Sequence, residues 1–269
     1  MTAALSVARR VPRFEHRSGL EYIAWLLLLL VVVWSLQGTA PSLEGMSKGL
    51  ARLFAPSGML AQMFPPDLSR IDRVLWKLVE TLQMAVAGVV LGLLFAFPLA
   101  ILAADGLSPH PIVRASARAL IAFFRTVPDL VWAIVFIIVV GLGPAAGVLA
   151  IMVDKIGFAG RFFAEAMEET DKGPREALMA IGATRSGIIA SVVIPAAMPS
   201  FIATSLFAVE KAVRGSVALG LVGAGGIGVD LKVAFDLFDY DQALTIILLI
   251  FVLVLGVEQA SAWIRRRII

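Results

Sequence analysis

The chain has 269 residues, is 59% hydrophobic and carries a formal net charge of +3, with a mean hydropathy of +0.92. An ordinary soluble domain is roughly 45–50% apolar, so this composition indicates a membrane protein. The absence of cysteine excludes disulfides and thiolate metal sites, and the two histidines, His16 and His110, lack any ligand-like spacing. Arginines gather beside apolar runs rather than on a folded basic face, which argues against a nucleic-acid partner.

Uncharged runs at 81–104, 130–153, 190–209 and 243–257 approach or exceed the about 20 residues that cross a bilayer as helix, and they are too long for strands. In chain order, a basic segment at 1–19 precedes a first span at 20–38. A signal peptide could also begin this way, with Gly38-Thr39-Ala40 as the cleavage site, but Pro41 argues against cleavage. Residues 39–77 form a long loop containing Gly49-Leu50-Ala51-Arg52-Leu53-Phe54, read either as an amphipathic stretch on the membrane surface or as a mobile loop.

A core at 78–264 follows, with helices expected at 78–104, 119–141, 145–168, 199–222 and 243–264, then a basic tail at 265–269. This makes about six spans. Gly141-Leu142-Gly143-Pro144 has to supply a tight reversal inside a continuous apolar stretch.

Arg9, Arg10, Arg13 and Arg17 precede the first span, and Arg114 and Arg118 follow the second. Lys172, Arg175 and Arg185 follow the fourth, and Arg265, Arg266 and Arg267 the sixth. All four clusters fall on one side, which the positive-inside rule makes cytoplasmic together with both termini.

The segment 169–195 is a polar interruption on that side. Gly173-Pro174 can start a helix, Glu176 in its first turn complements the dipole, and Gly182 can end it. Ile188, Ile189, Val192 and Val193 resume a helical apolar period, and Pro195 marks the next boundary. Ala177, Ala180 and Gly182 allow close approach of a partner, and Glu176 offers it a charge. A loop folded back onto its own bundle is the alternative.

At these residues the chain resembles the binding-protein-dependent ABC importer permeases. Their EAA motif reads E-A-A, three residues, G, nine residues, I-x-L-P; here it is Glu176-Ala177-Leu178, Gly182 and Val192-Val193-Ile194-Pro195. Leu178 replaces the second alanine, and Val192 and Ile194 are conservative changes. The resemblance implies an all-α integral membrane protein with a type I importer fold, in which Glu176, Ala177, Leu178, Gly182, Ile194 and Pro195 belong to a coupling element seated on a cytoplasmic ATPase. Arg125-Thr126-Val127-Pro128-Asp129-Leu130-Val131-Trp132-Ala133 and the stretch from Val213 through Gly228 are similar to phosphonate-transporter permeases. So are Val140-Gly141-Leu142-Gly143-Pro144 and Phe163-Ala164-Glu165-Ala166, and the likeness covers about 75–265.

Ionisable residues inside spans are costly and are functional candidates by default. Glu210 and Arg214 stand four apart with the acid first, the favourable order for a helical ion pair. Lys211 and Arg214 are read either as a positive lining for a phosphonate dianion or, with Glu210 neutralising Arg214, as packing. Asp154, Arg161 and Glu165 fall on one helical face as an expected ion network, with Lys155 offset and a candidate for the path. Arg125, beside Pro128, is expected to snorkel at the cytoplasmic mouth.

Gly223, Gly225, Gly226 and Gly228 match G-x-G-x-x-G, but a membrane helix precedes them and position 248 is leucine, so a dinucleotide site is excluded. An anion-cradling nest and a tight re-entrant turn closing an outer gate remain as readings. No phosphate-loop signature G-x-x-x-x-G-K-[ST] occurs, so this chain cannot be the ATPase, and the resemblance implies a transport subunit.

The resemblance implies a second permease copy as a homodimer, two cytoplasmic ATPase subunits that hold ATP and magnesium, and an extracytoplasmic solute-binding protein. The expected function is import of phosphonate or a related phosphorus oxyanion across the bacterial inner membrane. A permease for another solute, such as an amino acid, and an integral membrane enzyme are the alternatives.

Overall fold

The computed structural model describes residues 19–39 and 42–268. Arg9, Arg10, Arg13, His16 and Arg17 of the basic segment, and Ala40 and Pro41, lie outside the described residues. Regular structure among the described residues is helical throughout. The chain divides into two compact units, Met1–Met59 and Leu60–Ile269.

In the first unit, α1 (Gly19–Thr39) has 21 residues, none of them buried. At 1.5 Å per residue it is about 31 Å long, enough for the hydrocarbon core of a bilayer. Leucine, valine and tryptophan cover all its sides, as a helix surrounded by lipid requires. In α2 (Leu43–Leu53), the Ser42 hydroxyl accepts the Gly45 N–H at the start. Lys48 pairs with Glu44 at 2.6 Å. Glu44, Lys48 and Arg52 share one face and Met46, Leu50 and Leu53 another, so an ordered amphipathic helix occupies part of 39–77.

A single turn, α3 (Met59–Gln62), falls at the division. In the second unit, α4 (Ile71–Ala103) begins seven residues before the expected 78, so the end of the expected loop is helical. Asp72 in the first turn favours the dipole, and Arg73 and Lys77 do not interrupt the helix because their heads reach polar surroundings. Ala85, Gly88, Gly92, Ala96 and Ala100 form a buried small-residue stripe. Against it lies α7 (Pro144–Glu168), and this is the most extensive helix pair in the unit. A Cβ on Gly88 would stand 2.6 Å from Ile151 Cγ2. Lipid gives helices no hydrophobic reason to associate, so close van der Waals fit has to hold this pair.

The expected single helix 119–141 is corrected to two: α5 (Pro111–Thr126) and α6 (Asp129–Val140), bent 89° apart. Pro128 has no N–H to continue the first helix, and its ring forces Val127 into an extended conformation (φ −81°, ψ 122°). Gly141 (φ +89°) and Gly143 (φ +131°) then reverse the chain into α7.

Two short helices follow, α8 (Lys172–Ala180) and α9 (Arg185–Ile188). The expected boundary at Pro195 is also corrected. From α9 the chain passes through a π-helical turn at Ile189–Val193 into α10 (Ile194–Leu221), a continuous path of 37 residues. The widened turn shifts the hydrogen-bond register ahead of Pro195, so the proline sits at the start of a renewed α-helix, where its missing donor costs little. Then come α11 (Ile227–Asp236) and α12 (Tyr240–Ile268). Arg265, Arg266 and Arg267, expected as a tail, form the last turn of α12, where cations complement the dipole.

Among the described residues, α1, α4, the α9–α10 helix and α12 are long and apolar enough to span a membrane, and α5–α6 makes a fifth if taken as one bent span. In α7, 25 residues give sufficient length, and Asp154, Lys155, Arg161 and Glu165 break up its apolar character. Lys155 is buried and paired with the partly buried Asp154, and the more exposed Arg161 and Glu165 pair likewise.

Candidate functional site

Three places carry the candidate residues, and all lie in the second unit. The first is α8 with its turn. The Asp171 carboxylate caps α8 by accepting the Gly173 N–H at 3.0 Å. Gly182, at φ +82°, ends it, with its N–H on Met179 O and the Ala183 N–H on Leu178 O, both at 3.0 Å. Leu178 packs inward with Ala183, Ile189 and Ile194 against a core containing Phe163 and Phe201, whose rings are 4.7 Å apart. The residue that departs from E-A-A is therefore the apolar anchor of the element.

Glu176, Ala177, Ala180 and Gly182 face outward. So do Met179, 56% exposed, and Ile181, 79% exposed, which sequence reasoning missed although two large apolar residues in a polar segment were a signal. The base is tied down electrostatically. Arg185 donates to Ser108 O at 3.0 Å, Glu168 accepts the Asp105 N–H at 2.7 Å, and Arg114 pairs with Asp105. A cavity of about 340 Å³ beside Glu176 and Met179 is lined by Asp105, Glu168, Lys172 and Arg175.

The second place is the charged centre. Asp154 receives two lysines: Lys155 Nζ at 2.6 Å and Lys211 Nζ at 3.4 Å. The Lys155 side chain is 2% exposed and that of Lys211 44%. Gly92 makes room for the buried stem, since a Cβ there would lie 2.5 Å from Lys155 Cβ. The Phe158 ring lies under both ammonium groups, at 5.7 Å and 5.2 Å.

The expected Glu210–Arg214 pair is not formed. Both residues turn to α12, Glu210 meeting Arg265 at 2.9 Å and Arg214 meeting Glu258 at 3.0 Å. Glu210 is held at ion-pair distance rather than in an aligned hydrogen bond. Both partners stand on α12, so these charges tie α10 to that helix instead of to each other. The expected Asp154–Arg161–Glu165 network also divides, because seven residues separate Asp154 from Arg161 by about 10 Å along the axis. Arg161 pairs with Glu165 alone, at 2.7 Å.

The third place is the glycine loop. Gly223, Gly225 and Gly226 all have positive φ, between +75° and +95°. Two of the glycines meet backbone closely: a Cβ on Gly225 would be 2.6 Å from Pro144 N, and one on Gly228 2.1 Å from Val217 O. Two amides that could have cradled an external anion are taken by α4. Gly226 N–H donates to Glu80 Oε1 at 3.1 Å, and Ile227 N–H to the Thr81 hydroxyl at 2.7 Å. Lys77 in turn holds Glu80 at 2.7 Å. Neither Glu80 nor Thr81 was visible as a loop partner, since they lie 146 residues away in sequence.

Two charged bridges, Arg73–Asp230 at 3.3 Å and Arg70–Asp239 at 3.6 Å, close the same end. Nearby, hydrogen bonds from Ser69 hold the Asp67 carboxyl below its ordinary pKa, and a hydrogen bond with Asp241 raises that of Asp239. No cluster of three or more potential metal ligands occurs among the described residues.

An outward coupling-type element, a charged bundle centre and a closed glycine loop together suit a transport subunit. The model of the binding-protein-dependent transport system inner membrane component family matches residues 96–269. The chain belongs to this family. The phosphite transport system permease protein PtxC of Stutzerimonas stutzeri is 36% identical over 77% of this chain and 76% of its own length. The phosphate-import permease protein PhnE of Mycolicibacterium smegmatis is 43% identical over 77% of this chain, a match spanning 39% of that relative. Among solved structures, the MetNI methionine ABC transporter in inward-facing conformations gives a TM-score of 0.65 at 23% identity, over 76% of this chain and 99% of that one. This last likeness shows the fold alone: the all-helical type I importer permease fold. The relatives are permease subunits, so the family's work is transport across a membrane and not catalysis.

Proposed function

We propose that this chain is the permease subunit of an ATP-driven importer for phosphonate, phosphite or a related phosphorus oxyanion. It sits in the bacterial inner membrane with both termini cytoplasmic and pairs with a second copy of itself. Two cytoplasmic ATPase subunits holding ATP and magnesium dock on α8, and an extracytoplasmic binding protein delivers the solute to the end that carries the glycine loop. The observation that carries the reading is the outward face made by Glu176, Ala177, Met179, Ile181 and Gly182, held in place from behind by Leu178.

The names of the relatives support the cargo, and the charged centre supports the path. Lys155 and Lys211 share the Asp154 carboxylate, and the Asp129 carboxylate is also within electrostatic reach of Lys155, so Lys211 offers an anion a contact that does not trap it. Lys211, half exposed, is the contact residue, and Lys155 supplies charge from behind. Glu210 and Arg214 fix α10 to α12. The glycine loop, with Gly223, Gly225, Gly226 and Gly228, serves as the outer gate.

The test is uptake and ATP hydrolysis by the intact complex in proteoliposomes with phosphonate, phosphite and phosphate. Glu176→Lys is expected to abolish uptake while leaving membrane insertion intact. Normal uptake by this variant would overturn the docking role, and failure of all three solutes to enter would overturn the cargo.

A further inference from the structure

A cavity of about 520 Å³ lies between α5 and α7, reaching from Ala103 and Glu168 at the α8 end to Arg125 beside the break at Pro128. Arg118, Arg125 and Arg161 line it, against two acids, Glu165 and Glu168. Four of these five charges cancel in pairs: Arg118 with Glu168 at 2.5 Å and Arg161 with Glu165 at 2.7 Å. Arg125 has no ion-pair partner among the described residues.

A Cβ on Gly157, near the middle of α7, would lie 2.7 Å from Arg125 N, so the Arg125 backbone stands against the middle of that helix while its side chain is exposed at the cleft. An unpaired guanidinium at that depth is costly unless it faces water or an anion. The α5 dipole helps it, since Arg125 is in the last turn, but satisfies none of its five N–H donors.

We propose that this cleft binds an oxyanion of the phosphoryl class, with Arg125 as its principal ligand. The geometry of a guanidinium fork matches two oxygens of such a group. Arg161 and Arg118 keep donors free of their glutamates, since Arg161 uses Nε for Glu165 and Arg118 uses Nε for Ala103 O and Nη2 for Glu168. Three arginines against two glutamates leave a surplus of one positive charge, enough to attract a phosphoryl anion and too little to retain it. The proposal deepens the importer reading by giving the cargo a station between the charged centre and the α8 end. An anionic lipid headgroup carries the same chemistry and could fill the same cleft.

The experiment uses the purified full transporter complex in nanodiscs of phosphatidylcholine, with and without phosphatidylglycerol, and measures binding of labelled inorganic phosphate and of methylphosphonate. Arg125→Ala is expected to weaken binding at least tenfold and Arg125→Lys to restore part of it, with the complex still assembled. If phosphatidylglycerol displaces the phosphate from the wild type but not from Arg125→Ala, the headgroup is the resident ligand. If it does not displace it, the free oxyanion is. The proposal is overturned if the wild type binds neither probe and retains no phosphatidylglycerol, or if Arg125→Ala binds like the wild type. Binding is read without transport, so the two readings fail separately. A complex that binds phosphate through Arg125 yet imports another solute overturns the proposed cargo and leaves the site.

Discussion

The two ends of the helical bundle are built on opposite plans. At the α8 end, short elements are propped by side-chain bridges around open cavities of about 340 Å³ and 520 Å³, and apolar residues such as Met179 and Ile181 face outward. At the other end, the glycine loop is wedged between α4, α7 and α10, and the cavity among α4, α11 and α12 that Arg70, Arg73, Asp230 and Asp239 line holds only about 60 Å³. One end invites a partner, and the other is shut by its own main chain. The proposed function accounts for that asymmetry, because a face that docks a second protein has to stay open while a gate has to exclude water.

Breaking the closed end should have the largest effect. Gly228→Val would drive a side chain into Val217 O, and overpacking of this kind costs about 1–3 kcal/mol or more. The expected outcome is loss of assembled complex, measured by size-exclusion chromatography in detergent. A stable and active variant would show that the loop is not rigid.

Glu80→Gln sharpens the same comparison more gently. It weakens a charge-assisted bond to Gly226 N–H and removes the ion pair with Lys77, at an expected cost of about 1–3 kcal/mol. Hydrogen exchange at the Gly226 amide should accelerate while α8 amides remain unchanged. Equal exchange in variant and wild type would remove Glu80 as the latch.

The smallest effect is expected at the open end. Leu178→Ala recreates the E-A-A spelling yet deletes the apolar anchor, and for a half-buried site the loss should be about 1–2 kcal/mol, below the ~2–5 kcal/mol of a fully buried leucine. Thermal unfolding should shift down by a few degrees while uptake persists. Unchanged stability would mean that α8 is held by its polar bridges alone.

Much of the architecture was legible because its signals are local. Long apolar runs, the Gly141-Leu142-Gly143 reversal and Gly182 at the end of α8 each depend on a few consecutive residues. The misreadings came where a local rule met a tertiary one. Pro128 was read as a distortion inside one helix and proved to separate two at 89°. Pro195 was read as a boundary and proved to stand in the first turn of α10, on a helical path that the π-helical turn before it carries on from α9. Glu210 and Arg214 had ideal spacing for each other, and α12 supplied better partners.

By itself, the sequence determined that this protein is helical and membrane-spanning, and its 176–195 spacing already marked the family, since hydropathy and motif spacing are properties of a single stretch of chain. Only the tertiary structure decided which charges neutralise which. It put Asp154 between two lysines, gave the Gly226 amide to Glu80 and left Arg125 facing a cavity. The reason is physical: in a medium without water the energy of a charge depends on what stands within a few ångströms of it, and those neighbours come from helices far apart in sequence.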